Sequence, residues 1–91
     1  MEPRLRRVAL KYVWWESPER AVARPERLLC QLMQLGTWED VRWARRRFGD
    51  RAFKQALRNA PAGVLDKLSW SFWNRFFGFD PVPPIPSRAL P

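Results

Sequence analysis

Residues 26–58, ERLLCQLMQLGTWEDVRWARRRFGDRAFKQALR, decide the fold class. Leu28, Leu29, Leu32, Met33 and Leu35 recur at helical spacing over so wide an arc that only Arg27, Gln31 and Gln34 are left for solvent, which predicts a central, heavily buried helix. Gly36 is expected to end it as a left-handed cap, and Thr37 with Asp40 three residues on opens the next helix as a shortened capping box. That helix places Trp38, Val41, Ala44 and Phe48 on one stripe and spreads Arg42, Arg45, Arg46 and Arg47 over its flanks and back. Trp43 falls outside the stripe. Gly49 then closes the helix and Asp50 is expected to cap another, with Phe53, Ala56, Leu57 and Ala60 facing inward and Arg51, Lys54 and Arg58 outward.

Upstream, Ser17-Pro18-Glu19 supplies a capping hydroxyl, a pre-set first turn and an acid at the positive helix end, so a short helix starts there and stops before Pro25. Between Leu5 and Trp15, Val8, Tyr12 and Val13 are interleaved with Arg6, Arg7 and Lys11. Propensity does not choose there between an extended arm, an edge strand and a first helix; residues 1–16 are read as a basic arm. Downstream, Asn59 to Gly63 is a loop. Asp66 caps a last helix carrying Leu68, Trp70, Phe72, Trp73, Phe76 and Phe77, which Gly78 closes. The run Pro81-Val82-Pro83-Pro84-Ile85-Pro86 favours polyproline II, so residues 80–91 are expected to form an extended proline-rich tail with Arg88 near its end. The expected architecture is therefore all-α: about four short helices over residues 17–79, between an arm and a tail.

With 91 residues the chain supports one core. Its 17 Lys and Arg against 9 Asp and Glu give a net charge of +8, which favours nucleic acid, anionic lipid or an acidic protein face as partner. The single cysteine, Cys30, excludes an intrachain disulfide and suits a reducing compartment. No stretch approaches the roughly 18 apolar residues of a membrane span, so a cytoplasmic protein is expected.

The absence of histidine removes Ser-His, Cys-His and imidazole-metal chemistry. Cys30, among leucines, reads as a packing thiol, and Glu39 and Asp40 read as first-turn acids at the positive end of a helix. The four glycines are scattered rather than gathered into a phosphate loop. Neither a catalytic constellation nor a cofactor or metal site is expected, and the chain reads as a binding module rather than an enzyme.

Two features point to binding. The stock of six Trp and six Phe exceeds what one stripe of a small bundle needs, which marks Trp14, Trp15, Trp43, Trp70 and Phe77 as candidate protein-contact residues. Arg42, Arg45, Arg46, Arg47, Arg51 and Arg58 form an arginine-rich surface for nucleic acid or an acidic partner, with Arg42, Arg46 and Arg47 able to share a helix side with Trp43. The helix-glycine-helix unit from Thr37 to Arg58 also permits a helix-turn-helix reading, although its second helix has few of the polar side chains that read bases.

The aromatic run Tyr12 to Trp15, the stretch Leu28 to Trp38 containing Gly36, the segment Asp40 to Gly49 with Trp43 and Phe48-Gly49, and the closing Phe72-Trp73 to Gly78 resemble a small uncharacterised prokaryotic family. Its members are often encoded beside nucleotidyltransferase toxins of the abortive-infection type and are commonly regarded as the antitoxins. The resemblance spans roughly residues 12 to 79, and its motifs are structural rather than catalytic. It implies a helical antitoxin-like protein that contacts its toxin or represses the shared operon. The proline-rich tail and strong positive charge depart from the family pattern.

Overall fold

In the computed structural model, which describes residues 1–87, the chain is all-helical: α1 (Pro3–Tyr12), α2 (Pro18–Ala23), α3 (Glu26–Leu35), α4 (Trp38–Phe48), α5 (Asp50–Arg58) and α6 (Lys67–Phe76). Six helices replace the expected four or so, and the arm is the main correction. Leu5, Val8, Ala9 and Tyr12 stand at i, i+3, i+4 and i+7 and are all buried. Arg6, Arg7 and Lys11 form the solvent side, and Pro3 occupies the first turn. Interleaved cations had hidden an ordinary amphipathic pattern.

α3 is the axis. Leu28, Leu29 and Leu32 have no exposed surface, Cys30 and Met33 almost none, and the helix contacts all five others. Polar bonds fix its neighbours in register. The Gln31 amide donates to the Tyr12 carbonyl at 3.2 Å. The Trp73 indole donates to the Met33 carbonyl at 2.8 Å. Gln34 donates to the Asp66 carboxylate at 2.9 Å and accepts from the Asp66 backbone N–H at 3.0 Å, so the cap of α6 is held by α3. The Cys30 thiol donates to the Ala56 carbonyl of α5 at 3.4 Å, and burial pushes it up to about 11. It is a packing thiol, protonated at neutral pH.

Ser17, Thr37 and Asp66 cap their helices through the Arg20, Asp40 and Ser69 N–H groups, as their sequence contexts require. Two other caps differ from expectation. Asp50 makes no capping bond, because Gly49 is the cap residue and the Asp50 carboxylate turns to Arg45. Gly36 is extended (φ −70°, ψ 148°) rather than left-handed. What it needs is room: a Cβ there would lie 2.4 Å from the Leu32 carbonyl oxygen and 3.1 Å from Val41 Cγ2.

Residues 80–87 form no helix, but they do not simply extend away. Val82 and Ile85 pack against the core, and the Trp70 indole donates to the Pro83 carbonyl at 2.8 Å. Arg88 lies outside the described residues.

α1 is anchored to α4 by Asp40, whose carboxylate accepts from the Tyr12 hydroxyl at 2.6 Å and from Lys11 at 3.0 Å. Burial raises the Asp40 pKa, but the hydrogen bonds from Tyr12 and Lys11 outweigh it and hold the group below its ordinary value. The anchor therefore contributes fully above about pH 4, the unfolded value, and is lost as pH falls through the lower folded value. Asp40→Asn is expected to cost about 1.5–3 kcal/mol in urea unfolding at pH 7 and to flatten the loss of stability in acid. Gly36→Ala is expected to cost about 1–3 kcal/mol by the same measurement, through overpacking against backbone.

Candidate functional site: an aromatic face beside an arginine face

α6 has two apolar stripes. Trp70, Trp73 and Phe77, at i+3 and i+4 intervals, turn inward with the buried amide of Asn74 between them. The Asn74 side chain donates to the Trp70 carbonyl at 2.8 Å, and the Asn74 backbone carbonyl accepts from the Phe79 N–H at 2.8 Å. Leu68, Phe72 and Phe76, spaced by four, form the outer stripe and are 83%, 45% and 42% exposed. Trp38, at the first turn of α4, joins them at 54% exposed. Its ring meets Phe72 at 6.0 Å, and Phe72 stacks on Phe76 at 5.8 Å. Between α3, α4 and α6, Trp38, Leu68 and Phe72 border a groove of about 330 Å³, floored by Leu32, Met33, Val41 and Trp73, and Phe76 continues the exposed stripe beyond it. Its size suits one or two large apolar side chains, and joined exposed apolar surface of this kind is ordinarily covered by a partner.

The protein-contact candidates divide. Trp14 and Trp15, on the turn after α1, are exposed and meet edge to face at 5.7 Å. Trp70 is a core residue with its indole N–H satisfied. Phe77 is half-buried and stacks on Trp73 at 5.8 Å. Trp43 is also half-buried, packs on the core, and is covered by Arg4 of α1 at 5.3 Å rather than by Arg42, Arg46 or Arg47. Trp38, Phe72 and Phe76 take the exposed role instead. The signal for Phe72 and Phe76 is the four-residue spacing 68, 72, 76, which cannot share one stripe with 70, 73 and 77, whereas Trp38, expected on the inner stripe of α4, is exposed at its first turn.

The arginine candidates divide as well. Arg45 forms a two-pronged pair with Asp50, at 2.7 and 2.8 Å, and its guanidinium lies 4.7 Å from the Phe76 ring centre. Through that pair Asp50 is held below its ordinary carboxylate value. Arg47 is held by Glu2 at 3.1 Å and lies over Phe48. Arg42, Arg46, Arg51 and Arg58 are exposed and make no ion pair among the described residues. Arg42, Arg45 and Arg46 line one shallow concavity together with Asp50. Arg51 and Arg58 line another with Lys54, Gln55, Asn59 and Phe79. Lys54, outward beside Arg51 and Arg58 by helical spacing, joins that surface, and so does Phe79, which no sequence signal marks.

Among the described residues no cluster of three or more Cys, Asp and Glu is placed to hold a metal ion, and no helix is long and apolar enough to cross a membrane. If the inner and outer stripes are rightly divided, Trp73→Ala should lower unfolding stability by about 3–5 kcal/mol and Trp38→Ala by about 1 kcal/mol or less, read from denaturant midpoints. Equal losses would place Trp38 in the core instead. Set against protein-family models, curated proteins and solved structures, the chain finds no match.

Proposed function

We propose that this chain is a non-enzymatic binding module of the cytoplasm whose aromatic face docks a protein partner, and that the partner is a nucleotidyltransferase toxin of the abortive-infection type, which would make the chain an antitoxin. The observation that carries the reading is the exposed set Trp38, Leu68 and Phe72 around a groove between α3, α4 and α6, with Phe76 extending the apolar face beside it. Aromatic anchors in a pocket supply most of the affinity of protein interfaces. The choice of partner comes from the family resemblance. Direct contact would let the module cover the toxin or hold it inactive with no chemistry of its own.

A second reading, nucleic-acid contact, is favoured by one observation: Arg42, Arg46, Arg51 and Arg58 are exposed and make no ion pair among the described residues. An antitoxin that represses its own operon would use both faces.

Co-expression with a nucleotidyltransferase encoded beside the chain, followed by size-exclusion chromatography and a growth-rescue assay, tests the first reading. Co-elution and rescue are expected. Trp38→Ala with Phe72→Ala should weaken the complex by about thirtyfold or more, equivalent to at least about 2 kcal/mol, while the thermal melt stays close to that of the parent. Separate elution without rescue would sink the antitoxin reading.

A further inference from the structure

The outward side of α5 carries a row of groups that neither the core nor the ion pairs use. Arg51, Lys54, Gln55 and Arg58 stand at i, i+3, i+4 and i+7, one face of the helix, and span roughly 10 Å along its axis. With Asn59 and Phe79 they line a concavity of about 650 Å³. No carboxylate lines it. Asp50 is engaged by Arg45, and Asp80 is not among the lining residues.

Phe79 gives the row its meaning. Gly78, with φ +85°, turns the chain out of α6 in a conformation that favours glycine, and the next N–H bonds to the Asn74 carbonyl at 2.8 Å. Phe79 is half-buried: it packs against the core and also lines the concavity. A fixed aromatic surface is thus set beside three cations and two side-chain amides. Cations alone would suit the backbone of any nucleic acid, paired or not. An aromatic ring adds most affinity where a base is free to leave its neighbours and stack on it, which a single strand offers without the unstacking cost that a duplex imposes.

We propose that this basin binds single-stranded nucleic acid, with a base stacked on Phe79, flanking phosphates on Arg51, Lys54 and Arg58, and the amides of Gln55 and Asn59 within reach of base or sugar edges. The proposal rests on the nucleic-acid reading above and is independent of the protein partner. It replaces the helix-turn-helix picture, in which α5 would lie in the groove of a duplex.

Fluorescence anisotropy of the full chain with a labelled 12-nucleotide oligothymidine and with a duplex of equal length tests it. The single strand is expected to bind more tightly. Phe79→Leu, which retains bulk against the core, should weaken single-strand binding about five- to a hundredfold, whereas Phe79→Trp should keep it. Arg51→Gln with Arg58→Gln should lower the salt slope by about one to two. Lys67→Gln with Arg75→Gln, which removes the same charge elsewhere, should change binding less. Equal affinity for duplex and single strand, no effect of Phe79→Leu beside an unchanged melt, or an equal loss in the Lys67/Arg75 variant would overturn the basin and leave general nucleic-acid contact standing. Binding of neither oligonucleotide would overturn both.

Discussion

A helix of ten residues has no stability of its own in water, and none of the six here exceeds eleven. What lets them form is the burial of α3 on nearly every side. Leu28, Leu29, Cys30, Leu32 and Met33 present apolar surface in several directions at once, and each of the other helices covers one of them. The polar side chains of α3 work along its margins. Gln31 reaches the end of α1 and Gln34 reaches the start of α6, while the Met33 carbonyl receives Trp73. The same helix therefore supplies the burial that stabilises the domain and the directional bonds that set where α1 and α6 lie.

That arrangement explains why aromatic surface remains outside. Once α3 has taken one stripe of α6, the helix has no second neighbour to cover Leu68, Phe72 and Phe76. Trp38 sits at the first turn of α4, where Gly36 lets the chain pass close to Leu32 and Val41. The exposed rings partly shield one another through edge and stacked contacts. A small domain lowers its exposed apolar area in this way, but four large side chains on one face are more than solubility would favour.

The helices from α2 onward were legible in the sequence because their boundaries are written locally: Ser17, Thr37 and Asp66 at starts, Gly49 and Gly78 at ends. α1 was not, because what fixes it is remote. Its hydrogen-bonded anchor is Asp40, 28 residues from Tyr12. Without that partner in view, Arg6, Arg7 and Lys11 made the segment look like an arm. The aromatic surplus was legible in amount but not in phase. Trp70 and Phe77 belong to the inner stripe of α6, which is marked by Asn74, a polar residue whose burial no hydropathy pattern signals. Among the arginines, charge alone could not separate Arg45 and Arg47, consumed by Asp50 and Glu2, from their free neighbours.

Arg45 also decides how two surfaces of opposite chemistry can lie side by side on so small a body. Its guanidinium is placed over Phe76, at the margin of the aromatic face, and its charge is met by Asp50 at the start of α5. A free cation at that position would have to be desolvated whenever a partner covered the rings, a cost that grows as water is excluded. Paired through two hydrogen bonds and lying over an aromatic ring, it contributes area to the apolar face while its charge is already balanced. The arginines beyond it keep their charge available to an anion. One ion pair thus marks where the apolar face ends and the basic face begins.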